Sequence, residues 1–397
     1  MQTCPDPGAF VHVSADGTHF EVNGAPFYFA GANCYYLMVR AADPNLRHEV
    51  CEVLDAVRAA GLTVMRTGVG CEGTGEWNCL QPSPGQFNEH VFQGLDFVLA
   101  EAAKRQIRMM LVIVNYWKAF GGMSQYVRWS CQRKGLPETD KADDFYADPN
   151  CQDIFATFLL TLANRVNTFT GVPYRDDPVI MAWILANEPR CQGDYSGSIM
   201  QNWIASTSEF LRSMDPNHMI TAGVEGFLGS STPELLNDNP YNAMDHGCDF
   251  ARNHGSPCID FATLHIWPDN WMGVDDNAKL QFSRRWINCH VNSCATLKKP
   301  LVVTEFGKKP AGPARLAFYE KVYETFETHA QAGHPLAGSC LWMTAAVTYP
   351  DYDEYTVYFA PVPETTSKNP ASFDPALNSL ISRHAANMNT LNYPRPS

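Results

Sequence analysis

The sequence predicts a single-domain (β/α)8 TIM barrel. Three features carry that expectation: short apolar runs alternate with longer amphipathic segments, the alternation recurs about eight times, and no linker or low-complexity stretch interrupts it. Eight is the number of parallel strands that closes such a barrel. A chain of 397 residues could hold two or three average domains, yet barrels of this class run past roughly 250 residues as one unit. With 45% hydrophobic and 18% charged residues, the chain can bury a core of that size.

The candidate strands, in order, are 27–31, 64–67, 108–114, 179–186, 219–223, 259–265, 301–305 and 336–342. Each is a short apolar run rich in Val, Ile, Leu, Met or Phe. Between them lie helical patterns at 48–60, 91–105, 154–167, 198–214, 279–297 and 315–331, with Lys, Arg, Glu and Gln on one face. The Pro-rich stretch 361–375 comes nearest to a linker. The helix-like 375–389 after it is expected to pack back on the barrel, which leaves one domain over 1–397. A doubly wound open sheet also alternates β and α, but it would show a Gly-rich phosphate turn after an early strand. Here the run 27–31 is followed by Ala-Asn-Cys-Tyr-Tyr, so the barrel is favoured.

A net charge of −13 argues against nucleic acid, because phosphate binding needs a basic surface to replace counterions. Aromatic residues make up 12% of the chain, and their faces suit stacking on sugar rings as well as core packing. The 13 cysteines include the close pairs Cys71 with Cys79, Cys248 with Cys258, and Cys289 with Cys294. They read as local disulfides formed in an oxidising, extracellular compartment, with buried thiols as the other reading. The start, Met1-Gln-Thr-Cys-Pro-Asp6, has no basic and apolar leader, so removal of a signal peptide is the expectation. No run of 18 apolar residues occurs, and no membrane partner is expected.

In a parallel barrel the active site lies at the C-terminal ends of the strands, so polar residues that close apolar runs are the candidates. They are Arg66, Asn115, Asn187 with Glu188, His265 with Trp267, Glu305, and Trp342. Two of these are carboxylates ending strongly apolar runs, Glu188 and Glu305. Glycoside hydrolysis needs such a pair: one protonates the departing oxygen, and the other meets the oxocarbenium-like carbon. A strand-end Glu alone is more often a salt-bridge partner; the pair, with Asn, Arg, His and Trp at neighbouring strand ends, points to chemistry. No His-Glu-x-x-His or clustered Cys/His spacing occurs, and no metal or cofactor is expected. Nor is there a G-x-S-x-G elbow for a serine nucleophile.

The ordered motifs extend along nearly the whole chain: Phe120-Gly-Gly, Gln125-Tyr-Val, Arg165-Val-Asn-Thr, Tyr174-Arg-Asp-Asp-Pro178, Asn187-Glu-Pro-Arg-Cys191, Val224-Glu-Gly-Phe227, Asp260-Phe-Ala-Thr-Leu-His265, Pro268-Asp-Asn-Trp271 and Thr304-Glu-Phe-Gly307. In this set the chain resembles glycoside hydrolase family 5 and, within it, the plant- and fungus-like endo-β-1,4-mannanases. The resemblance implies a retaining hydrolase of mannan-type polysaccharide, with Glu188 as acid/base and Glu305 as nucleophile. It further implies Asn187 on the sugar 2-hydroxyl, Arg66 keeping Glu305 ionised, and His265 between the acid/base and the sugar. Trp342 would floor the cleavage point, Trp117 would stack towards the non-reducing side, and Arg190 would touch the leaving-side sugar. Glu225 would bind substrate, and it is the main rival for a catalytic role.

Two positions depart from the family pattern. Trp267 stands where the family has a Tyr that hydrogen-bonds the nucleophile; an indole N–H still donates but cannot accept. Tyr116, in Asn115-Tyr-Trp117, stands where the family often has a second Asn. A monomer is the expected unit. An endo-β-1,4-glucanase on the same scaffold stays open, as does a non-catalytic carbohydrate-binding protein, although both carboxylates are present.

Overall fold

The computed structural model describes residues 6–241, 243–366 and 373–393. A small antiparallel sheet comes first: β1 (His12–Val13), β2 (Phe20–Val22) and β3 (Ala25–Phe27). Eight parallel strands follow: β4 (Phe29–Asn33), β5 (Val64–Gly68), β6 (Arg108–Asn115), β7 (Ile180–Asn187), β8 (Met219–Thr221), β9 (Ala262–Ile266), β10 (Leu301–Phe306) and β11 (Leu336–Leu341). Sequential strands pair from β4 to β8 and from β9 to β11, and β11 returns to β4. The seam between β8 and β9 is crossed by backbone bonds from Asp260 N–H to the Ile220 carbonyl (2.8 Å) and from His265 N–H to the Glu225 carbonyl (2.9 Å). The eight expected strands are thus the eight of the barrel.

The expected run 27–31 breaks at Tyr28, because Phe27 belongs to β3 and the barrel strand starts at Phe29. Phe20 and Phe27 pack with Val64, Met110, Ile184, Phe261 and Val302, so the antiparallel sheet adds its aromatics to the apolar filling of the barrel. Outside, the helices lay an apolar stripe on the sheet; in Glu89–Lys104, Val91, Leu95, Val98, Leu99 and Ala102 are buried at three- and four-residue spacing. Helices at Leu37–Ala42 and Gly122–Lys134 were not apparent in the sequence pattern; the second carries Ser, Gln, Arg and Lys throughout, which blurs its period. Helix Asp276–Leu297 starts three residues before the apolar pattern because the Asp275 carboxylate accepts the Ala278 N–H and caps it. Helix Pro375–Thr390 packs back on the barrel: His384 meets Ser339 of β11 at 3.2 Å. Part of the Pro-rich stretch before it lies outside the described residues, as do residues 1–5.

The local disulfides expected from cysteine spacing are not formed, since the twelve described cysteines are free thiols. Cys289 and Cys294 share one helix, where a five-residue step gives about 7.5 Å of rise and roughly 140° of rotation, beyond disulfide reach. Cys248 turns its thiol to the carbonyls of Pro189 and His246 instead of to Cys258. Cys71 and Cys79 do lie side by side, with the Cys79 thiol 3.3 Å from the Cys71 carbonyl. Nearness in sequence does not set the Cβ directions a disulfide requires.

Candidate active site

The carboxyl ends of the barrel strands open into a cleft of about 830 Å³ lined by Arg66, Asn187, Glu188, Glu225, Glu305 and Trp342, among others. Glu305 reaches it through a β-bulge. Val302 points into the barrel, so strict alternation would send Thr304 inward and Glu305 outward into the helix layer. The pairing of β10 with β9 shifts between Val303 and Glu305, which stand opposite Leu264 and His265. One extra residue on β10 re-aims the carboxylate into the cleft.

Glu188 follows β7 with φ 48°, a left-handed conformation that costs a non-glycine residue of the order of 1–2 kcal/mol. Its N–H is held by the Gly223 carbonyl at 3.0 Å. Gly223 has φ +83°, and a Cβ there would sit 1.8 Å from the Ala186 carbonyl oxygen, so only glycine permits this approach of β7 and the segment after β8.

Both carboxylates are buried and meet at one imidazole. His265 Nδ1 lies 2.7 Å from Glu188 Oε1 and 3.4 Å from Glu305 Oε2. One ligand atom from each of the three residues falls within 4.8 Å of the others. That is shorter than the roughly 6.5–9.5 Å that leaves room for water between the carboxyls of an inverting enzyme. Arg66 NH1 donates to Glu305 Oε1 at 2.5 Å and to Asn33 Oδ1 at 2.9 Å, and NH2 donates to Asn187 Oδ1 at 2.7 Å. Asn33 in turn donates to the Thr304 carbonyl at 2.8 Å, tying the guanidinium to the bulged strand. Asn33 was not singled out from the sequence, although it closes the first barrel strand as Asn115 and Asn187 close theirs.

Burial pushes the Glu305 carboxyl up, and the Glu188 charge adds to this; His265 and Arg66 offset only part of it. Burial acts on Glu188 too, and the hydrogen bond and charge of His265, together with the Trp117 N–H, oppose it.

The other expected residues fall around this pair, some in different roles. Trp342 lies along the cleft, its indole N–H donating to Asp353 Oδ2 at 3.0 Å and its ring stacked on Tyr35 with centroids 5.8 Å apart. Tyr35 and Asp353 come from loops, where no apolar run marks a strand end, and the sequence pattern passed over them. Trp267 packs edge-on against Trp342 and Tyr355, at 6.0 and 4.9 Å between centroids. Among the described residues its indole donates no hydrogen bond to Glu305, so the tuning role of the family Tyr is not taken over by the indole.

Arg190 and Glu225 form a two-pronged pair with each other, at 2.8 and 2.7 Å. The guanidinium is only 9% exposed and is faced by Trp117 at 5.0 Å and Phe227 at 5.4 Å. Burial and the nearby Glu188 charge raise Glu225 to about 8, against the pull of Arg190. Glu225 is thus engaged with Arg190, and both line the cleft beside the reacting pair. Trp117, expected as a stacking surface towards the non-reducing side, lies against the Arg190 guanidinium, and its Nε1–H donates to Glu188 Oε2 at 2.6 Å.

An eight-stranded barrel that brings two buried carboxylates together in a cleft at its strand ends, closer than the roughly 6.5–9.5 Å of an inverting pair, defines a glycoside hydrolase of the retaining kind. A family model described as GH family 5 beta-mannosidase-like matches residues 9–387. This chain belongs to that family. It is 42% identical over 368 residues to mannan endo-1,4-beta-mannosidase 1 of Oryza sativa subsp. japonica, covering 90% of this chain and 84% of that protein. It is also 42% identical over 367 residues to mannan endo-1,4-beta-mannosidase 1 of Solanum lycopersicum, covering 91% and 90%. Among solved structures, the endo-beta-1,4-mannanase from Thermotoga petrophila matches with a TM-score of 0.79 at 30% identity, covering 94% of this chain and 79% of that one. The endo-1,4-beta-mannanase from Rhizomucor miehei matches with 0.80 at 28%, covering 96% and 100%.

Proposed function

We propose that this protein cleaves internal β-1,4-mannosidic linkages of mannan, glucomannan and galactomannan by double displacement, with Glu305 as nucleophile and Glu188 as acid/base. One observation carries the reading: the two carboxylates share His265 Nδ1, at 2.7 and 3.4 Å, on the floor of one cleft. The relatives' names, mannan endo-1,4-beta-mannosidase, support the substrate.

In the first step a Glu305 oxygen bonds to the anomeric carbon while the glycosidic bond breaks, and the Glu188 proton passes to the departing oxygen. Arg66 favours the ionised nucleophile and also orients Asn187 towards the sugar 2-hydroxyl. Once Glu305 is esterified its charge is gone, and Glu188 is left as a carboxylate facing no like charge from that side. In the second step it takes a proton from water, whose oxygen bonds to the anomeric carbon and releases Glu305. The cleft is complete within one chain, which supports the monomer as the functional unit. The enzyme works outside the cell, because polymeric mannan does not cross a membrane; activity confined to cell extract and absent from the medium would contradict this.

Reducing-sugar release from galactomannan against carboxymethylcellulose, with product profiling on mannohexaose and cellohexaose, tests the substrate. Faster action on the cellulose derivative would make this an endo-glucanase. Glucomannan bound but unchanged after long incubation would make it a carbohydrate-binding protein.

A further inference from the structure

Glu188 has both carboxylate oxygens occupied by nitrogen groups. Oε1 meets His265 Nδ1, which is fully buried behind it, and Oε2 meets the indole N–H of Trp117, which lines the cleft. The two contacts differ in kind. An imidazole nitrogen can donate or accept, whereas the indole N–H can only donate, and so it stabilises Glu188 as an acceptor, the ionised form. The oxygen it covers is the cleft-side one, from which a proton would reach a glycosidic oxygen. An acid/base carboxyl held in this way is in the wrong state for the first step.

Trp117 is also the member of this contact that can leave. It is 42% exposed and follows β6 in a segment where its own backbone N–H is held by Asn115 Oδ1 at 3.2 Å. Its ring lies against the Arg190 guanidinium at 5.0 Å, and Arg190 is fixed from behind by Glu225 and Phe227. The indole therefore covers two groups at once, the Glu188 Oε2 atom and one face of Arg190.

We infer that Trp117 is a positioning residue for Glu188: its indole N–H occupies the cleft-side oxygen in the free enzyme, and a sugar on the leaving side displaces it, freeing Glu188 to carry its proton only when substrate is bound. This rests on Glu188 being the acid/base. No proton leaves Trp117 in the exchange; one hydrogen bond is lost and one to the sugar oxygen is gained. The same displacement uncovers the face of Arg190 for the incoming sugar. The charged and titratable groups around Glu188 are His265 from β9, Glu305 from β10, Arg66 through Asn187, and Arg190, Glu225 and Tyr241 at the cleft wall. All six are retained when only the indole is changed.

The test is Trp117→Phe, which keeps an aromatic face and removes the N–H. The basic limb of kcat/KM reports Glu188 in the free enzyme, and that of kcat reports it in the complex. On mannohexaose the kcat/KM limb should move up by about one pH unit, since a donor to the charged form is gone, while the kcat limb stays in place. A residue that only stacks would change KM and leave both limbs unmoved, and that result overturns the inference. A second measurement does not depend on turnover. The Trp117 indole 15N–1H resonance, assigned by its absence in Trp117→Phe, should lie downfield in the free protein. It should lose that shift in Glu188→Ala, which leaves no side-chain acceptor, and again when mannohexaose is added to inactive Glu305→Ala. An indole signal indifferent to both changes overturns the inference as well. If Glu188→Gln instead keeps full turnover on mannohexaose, the acid/base assignment itself fails, whatever Trp117 does.

Discussion

Arg66 offers the sharpest test of how the cleft keeps its nucleophile usable. Arg66→Met keeps most of the side-chain volume but removes the guanidinium that touches Glu305, Asn33 and Asn187 at 2.5–2.9 Å. Glu305 is 3% exposed, and burial already raises its carboxyl above the usual range with the cation present. Removing a cation at this distance should raise it by a further ~1–3 pH units. The nucleophile must be ionised, so the acidic limb of kcat/KM should move up by the same interval, with about tenfold less activity per unit at any pH below the limb. Stability should follow the same group. A carboxyl whose folded pKa lies above its unfolded value favours the fold while protonated, and this contribution is lost as pH rises through the folded pKa. The variant should therefore melt close to the parent near pH 4 and fall behind it towards pH 8, where an unpaired buried charge costs about 3–5 kcal/mol. pH–rate profiles on galactomannan and melting curves across that range measure both effects. An acidic limb that does not move, or a melting deficit independent of pH, would refute the claim that Arg66 sets the charge of Glu305.

Glu305→Ala should abolish turnover on every substrate, because no glycosyl-enzyme can form. Glu188→Ala should still show a burst with a dinitrophenyl leaving group, which needs little protonation, and azide should restore its turnover to give the β-glycosyl azide. An α-azide from Glu305→Ala, with Glu188→Ala inert throughout, would keep Glu305 as nucleophile and remove Glu188 as acid/base. Trp267→Tyr should retain substantial activity; if its hydroxyl reaches Glu305, that carboxyl falls and the acidic limb of the pH profile moves to lower pH, whereas loss of activity would mean the position supports Trp342 and not the nucleophile. Non-reducing digestion of oxidised protein should recover Cys71–Cys79 as the local pair that can close, and a Cys289–Cys294 bridge would contradict the helix that carries both.

The alternation of apolar runs and amphipathic segments carried the barrel, because eight strands buried on both faces must be apolar throughout and their helices must bury one stripe. Strand-end polarity singled out Glu188, Glu305, Arg66, Asn187 and His265, because a parallel barrel opens its cleft at those ends. Local pattern stops at that point. Whether Glu305 faces the cleft or the helix layer turned on the bulge between Val303 and Glu305, a register set by β9 and not by β10's own residues. Trp117 read as a stacking aromatic until the fold brought its N–H to Glu188 across 71 residues. Arg190 and Glu225, 35 positions apart, read as sugar contacts, and that they also pair with each other is set by the fold. Of the bridges the cysteine spacings suggested, one helix separates Cys289 from Cys294 and Cys248 turns to two carbonyls, while Cys71 and Cys79 lie side by side. Periodicity along a chain tells which residues are buried; which buried polar atoms share a hydrogen bond depends on distances between strands that only the closed barrel sets.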